Sequence, residues 1–169
     1  MKECLLAISL LVLTVCASCV KEGPRYALPA GESIPQFELT LLDGTDISSG
    51  DLLGRPSVLV FFSTTCPDCH RQLPEVESAY AMAGEGAAFI AIARDEGPET
   101  VGKHWTENGY TIPVSAPGDR TVYDLFDRGS HSGIPLLFIS DAQGVVRHTA
   151  DDSAVLTAQE MTRILSNIK

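Results

Sequence analysis

The stretch that decides the fold is Val58-Leu-Val-Phe-Phe-Ser-Thr-Thr-Cys66-Pro-Asp-Cys69. Its first five residues are a continuous β-branched and aromatic run, bounded before by Gly54 and Pro56, and such a run reads as a central strand buried on both faces. Two cysteines three positions apart follow at once, and then a helix-compatible stretch with Leu73, Val76, Ala79, Tyr80 and Ala83 on its apolar side. Pro67 suits the first helical turn, where no backbone N–H is needed. The cysteine pair therefore sits on a strand-to-helix junction. There, free amide groups and the helix dipole stabilise negative charge. A thiol so placed loses its proton more readily than the ordinary ~8.5. Cys66 is the expected attacking thiolate, and Cys69, one turn inside, the resolving thiol that displaces the product from a mixed disulfide.

Downstream, Gly84 and Gly86 end the helix and Ala87–Ala93 reads as a second buried strand. Strand, helix and strand in that order imply a right-handed parallel crossover. A helix is expected from about Glu99 to Asn108, closed by Gly109, and a short one over Thr121–Phe126. Leu136–Ile139 and Val145–His148 flank Asp141-Ala-Gln-Gly144 as a hairpin, and Thr157 with Glu160 forms a capping box for a last helix through Ile168. Upstream, Phe37–Leu42 and Thr45–Ile47 flank the turn signal Asp43-Gly44, an N-terminal hairpin laid against the main sheet. The class is α/β: one mixed central sheet with helices on both faces and an added N-terminal hairpin.

The N-terminus carries a targeting pattern. The apolar run Leu5–Val15 is too short to span a bilayer and fits a signal-peptide core. It ends in Cys16-Ala17-Ser18-Cys19, small residues before a cysteine, which resembles the bacterial lipobox with Cys16 where leucine is usual. Cutting before Cys16 would leave Val15 at a position that wants a small side chain, so Cys19 is the expected lipidated residue. The chain is accordingly divided into a signal peptide (1–18), a tether (19–33) and a folded domain (34–169). Of five cysteines only Cys66 and Cys69 then remain in the domain, and export permits disulfide chemistry.

A net charge of −10 with no Lys/Arg cluster excludes a nucleic-acid surface. No second cysteine pair lies outside the signal and the histidines at 70, 104, 131 and 148 show no finger spacing, so no metal and no cofactor are expected. The parallel strand ending at Ala93 brings Arg94, Asp95 and Glu96 to the edge where the cysteines lie. Asp68, between the thiols, opposes a Cys66 thiolate by ~1 kcal/mol at ~6 Å. His70 offsets this when protonated, and His131 is a further candidate at the same edge.

From about Ile34 onward the chain resembles the TlpA/ResA-type thioredoxin-like proteins. The matching pieces are Phe37…Asp43-Gly44, Leu53-Gly-Arg-Pro56, the Val58–Cys69 stretch, Pro74 inside the helix, Gly133-Ile134-Pro135 and Asp141…Gly144. Thr65 stands where the family carries tryptophan. Val60 stands where thioredoxins carry a buried aspartate, so that proton acceptor is absent. The resemblance implies a cis bond before Pro135 and an Ile134 that offers its backbone to a substrate. Pro67, Asp68, Ile134 and Pro135 are then the substrate-facing set. It also implies Glu96 as the acid/base for Cys69. The activity implied is thiol–disulfide exchange, reducing exported disulfide-containing proteins such as apocytochromes at the periplasmic face, with electrons from a membrane-embedded donor. Two rivals are a thiol peroxidase, because Ser63-Thr-Thr-Cys66 fits part of a peroxiredoxin pattern that wants proline at Leu59, and a non-catalytic binding lipoprotein.

Overall fold

A computed structural model describes residues 27–128 and 133–168. The signal segment, Cys19 and His131 lie outside the described residues. Strand β1 (Glu38–Thr40) and strand β2 (Asp46–Ser48) form the expected antiparallel hairpin. At its turn Gly44 takes φ 87°, a conformation glycine adopts without a Cβ penalty. The main sheet holds β3 (Ser57–Phe62), β4 (Ala88–Ala93), β5 (Val114–Ser115), β6 (Leu136–Ser140) and β7 (Val146–Ala150) in the order β5-β4-β3-β6-β7. The helices are α1 (Pro67–Ala83), α2 (Pro98–Asn108), α3 (Thr121–Asp127) and α4 (Ala158–Asn167).

All six residues of β3 are buried, as a strand covered on both faces requires. It pairs parallel to β4, with Phe62 opposite Ala93, and antiparallel to β6, with Phe61 opposite Leu136. Alternation along β3 sends neighbouring rings to opposite faces. Phe62 meets Trp105 of α2 at 5.0 Å, on the face where Tyr80 of α1 meets Phe89. Phe61 meets Tyr123 at 5.5 Å and Phe126 at 5.1 Å, both on α3, and Phe126 reaches Phe37 beside the hairpin. Burial of rings such as Phe61 dominates the core, and deleting one costs about 3–5 kcal/mol.

Two readings change. Strand β5 has no counterpart in the sequence pattern: two residues between Pro113 and Pro117 show no periodicity, and only their pairing with Ala91 and Ile92 reveals them. The described part of the segment assigned to the tether is packed instead. Leu28 is fully buried and its N–H donates to the Phe126 carbonyl at 2.8 Å. Gly31 N–H bonds to Val146 O, Glu32 O accepts from Val146 N–H, and Ser33 bridges Val145. The folded unit therefore starts before Ile34, with residues 27–33 strapped along β7. An irregular strap held by backbone bonds carries no hydrophobic period.

Candidate active site

The end of β3 and the start of β6 are antiparallel neighbours, so the Cys66 turn and the Ile134-Pro135 loop meet at one sheet edge. The Ile134–Pro135 bond is cis. Cys66 is the N-cap of α1, in extended backbone (φ −85°, ψ 117°), with Pro67 next in the chain. Its sulfur accepts from the Cys69 N–H at 3.5 Å and its S–H donates to the Ile134 carbonyl at 3.2 Å. Cys66 is partly exposed; Cys69 is fully buried.

That asymmetry divides the chemistry. Burial pushes the Cys69 thiol far above its ordinary range, Cys66 and Asp68 add to the rise, and a backbone hydrogen bond at Ser63 opposes it. Cys69 therefore rests as a thiol and needs a base before it can attack. Cys66 has the Cys69 N–H on one side and stays partly open to solvent on another, as an attacking sulfur requires.

Of the three residues delivered after β4, only Glu96 turns toward the cysteine turn. Its carboxylate accepts from Thr64 N–H at 2.7 Å, Thr64 Oγ1 at 2.7 Å and Ser63 Oγ at 3.1 Å. Ser63 is thus common to Glu96 and Cys69. Arg94 pairs with Asp95 at 3.4 Å and lies 5.7 Å from the Tyr123 ring, on the α3 side. Asp68 is not a free charge: it forms an exposed ion pair with Arg71, which partly offsets its repulsion of a thiolate. Thr65 is exposed and shares a 3.0 Å hydrogen bond with Ser63 Oγ, and Val60 is wholly buried among apolar groups. Sequence reasoning missed His104, whose ring stacks on that of His70 from α2. No single-helix pattern reports a contact between two helices.

A family model described as AhpC/TSA matches residues 30–149. The chain belongs to the AhpC/TSA family. Within it, the chain is similar to the thiol-disulfide oxidoreductase ResA of Geobacillus kaustophilus (strain HTA426), at 26% identity over 146 residues, 86% of this chain and 81% of that one. ResA of Bacillus subtilis (strain 168) is 27% identical over 123 residues, 72% of this chain and 67% of the relative. A thiol:disulfide interchange protein of Chlorobium tepidum TLS superimposes with a TM-score of 0.69 at 26% identity, over 84% of this chain and 99% of that one. A putative protein disulfide isomerase of Bacteroides thetaiotaomicron superimposes at 0.74 and 23% identity over 85% and 89%, which shows the fold. This AhpC/TSA member has the thioredoxin-like fold and is a thiol–disulfide oxidoreductase, as the resemblance to TlpA/ResA-type proteins implied.

Proposed function

We propose that the chain is a membrane-tethered reductase of disulfides in exported proteins. The observation that carries the catalytic part is the contrast between a buried, protonated Cys69 and a half-exposed Cys66 held at a helix start. The Cys66 thiolate attacks one sulfur of a substrate disulfide, and the other leaves as a thiolate that takes a proton from solvent. Glu96, held at the Ser63–Thr64 turn beside Cys69, accepts the Cys69 proton. Cys69 then attacks the Cys66 sulfur of the mixed disulfide, expelling the second substrate sulfur. Two electrons pass to the substrate and Cys66–Cys69 is left oxidised. Pro67 and Asp68, next to Cys66 in the chain, and Ile134, whose carbonyl meets the Cys66 sulfur, with Pro135 form the surface a substrate meets.

The tether rests on the apolar run Leu5–Val15 and on Cys19. The course of the strap supports it. Thr149 Oγ1 donates to Leu28 O at 3.4 Å while Ser33 bridges Val145, so the strap runs antiparallel to β7. Its N-terminal end points to the edge that bears Cys66. A lipid on Cys19 would leave residues 20–26 before Ala27, a reach of at most ~25 Å. The dithiol then stays near a donor embedded in the same bilayer. Among the described residues no helix is long and apolar enough to cross a membrane.

A peroxidase would need a hydroxyl aimed at the Cys66 sulfur. Ser63 Oγ and Thr64 Oγ1 are instead taken up by Glu96, which favours disulfide exchange. The test is insulin reduction alongside peroxide turnover. Dithiothreitol-driven insulin reduction, lost in Cys66→Ser and stalled as a mixed disulfide in Cys69→Ala, is expected. Peroxide turnover without insulin reduction would overturn the reading, and inactivity in both assays would favour the binding lipoprotein.

A further inference from the structure

Thr64, two residues before Cys66, has every polar group engaged. Glu96 takes its N–H and hydroxyl from the side of β4. Its carbonyl lies 2.6 Å from His70 Nε2 on the first turn of α1. A carbonyl only accepts, so His70 carries a proton on Nε2 in this arrangement, whether the ring is neutral or charged. The His70 N–H also bonds to the Cys66 carbonyl at 3.1 Å. One residue thus ties the peptide before the nucleophile to the helix after it.

Behind His70 stands His104 of α2, with ring centroids 5.3 Å apart and planes 21° from parallel. His104 faces Asn108 through Nδ1 at 3.3 Å, and its Nε2 is buried with no hydrogen-bond partner among the described residues. The stack limits His70 to the ring orientation that meets Thr64. It also sets the two rings against being charged together. Two charged rings at this separation repel, and His104 is the more enclosed of the two. Burial and the neighbouring His70 hold His104 below the usual histidine range, against the opposing pull of Glu96 and Glu107. The exposed ring of the pair is that of His70. The remaining charges beside it on α1 are Asp68 and Arg71, which pair with one another.

We propose that His70, backed by His104, is a positioning residue for Cys66 that locks the Ser63–Thr65 turn onto the start of α1 and raises the share of Cys66 held as thiolate. Neutral His70 supplies the lock; protonated His70 adds a positive charge one residue beyond the dithiol, so that thiolate and imidazolium favour each other. The argument rests on Cys66 being the attacking thiol.

The test is the pH dependence of iodoacetamide alkylation at Cys66, followed by mass spectrometry on the reduced protein. The variants are His70→Phe, which keeps the stack without donor or charge, His70→Gln, which keeps a donor, and His104→Ala, which removes the backing. We expect the alkylation midpoint to rise by about half a unit in His70→Phe, a roughly three-fold loss of thiolate at fixed pH below it. A smaller rise in the same direction is expected for His104→Ala. His70→Gln should recover the insulin-reduction rate over His70→Phe but not the midpoint. A midpoint unchanged in both His70→Phe and His104→Ala would overturn the proposal, whatever happens to stability. Preferential alkylation of Cys69 in the unsubstituted protein would instead overturn the assignment of the nucleophile.

Discussion

Glu96 holds Thr64 by both its N–H and its hydroxyl, at 2.7 Å each, from the opposite side of the turn to Cys66's helix. A carboxylate so engaged fixes the turn, and it meets the hydroxyl of Ser63, the residue whose backbone bonds to the buried Cys69 thiol. The proton site bears on the second half of the reaction rather than the first. Glu96→Gln keeps an acceptor for Thr64 and loses the proton site. We expect resolution of the mixed disulfide to slow by about 10²-fold, the lower end for a general base. Alkylation of Cys66 should change little. Stopped-flow rates of both steps across pH 5–9 check this. An unchanged resolution rate would remove Glu96 from the chemistry.

The Asp68–Arg71 pair makes a prediction with opposite signs. Asp68→Asn removes a charge that disfavours the reduced, thiolate-bearing form, so the couple becomes more oxidising. Arg71→Gln uncovers that charge and makes it more reducing. Both groups are solvent-exposed, at 37% and 65%, and screening keeps the interaction at or below ~1 kcal/mol. For a two-electron couple that is about 20 mV in either direction. Redox titration of the two variants reads the signs directly.

Stability should fall on the acid side earlier than carboxylates alone would cause. His104 and His148 are both held below the ordinary 6.5, burial being the largest cause for each. Above that value neither the folded nor the unfolded chain protonates them. As pH drops below it, the unfolded chain takes up protons that the folded chain resists, and stability is lost. The carboxylates of Asp51, held low by Ser48, and Asp141, held low against its burial by Val145 and Arg147, act only below about 3.8. Melting temperatures measured from pH 8 to pH 5 should decline below about 6.5, and less steeply in His148→Gln.

Leu28 anchors the strap into the core beside Phe126. Leu28→Ala should cost about 2–5 kcal/mol, as large-to-small changes at fully buried sites do. A chain starting at Ile34 should be destabilised further, since it also loses the pairing with β7. Urea denaturation of both, against the protein from residue 20 onward, measures the difference.

The pattern of residues carried the centre of the molecule and lost its margins. Val58–Phe62 is apolar throughout because β3 is covered on both faces, and Cys66-Pro-Asp-Cys69 lies where the next helix must begin. Those features are local in sequence and were legible there. The strap at Ala27–Ser33 and the two-residue β5 are held by backbone bonds to distant strands, so their side chains show no period. The same limit applies within the site. Cys66 and Cys69 declare themselves by spacing; the parallel strand brings Arg94, Asp95 and Glu96 to the edge together, and it was the family resemblance that pointed to Glu96. The Asp68–Arg71 pair and the His70–His104 stack depend on side-chain orientation and on the approach of α2 to α1.

The central claim is that a half-exposed Cys66 and a buried Cys69 form a reducing dithiol. Its reduction potential, measured on residues 20–169 in dithiothreitol and glutathione buffers, tests that most directly. A reducing dithiol gives a value near or below about −250 mV, close to thioredoxin's. A value near about −120 mV would contradict it, making the protein an oxidant that donates its disulfide.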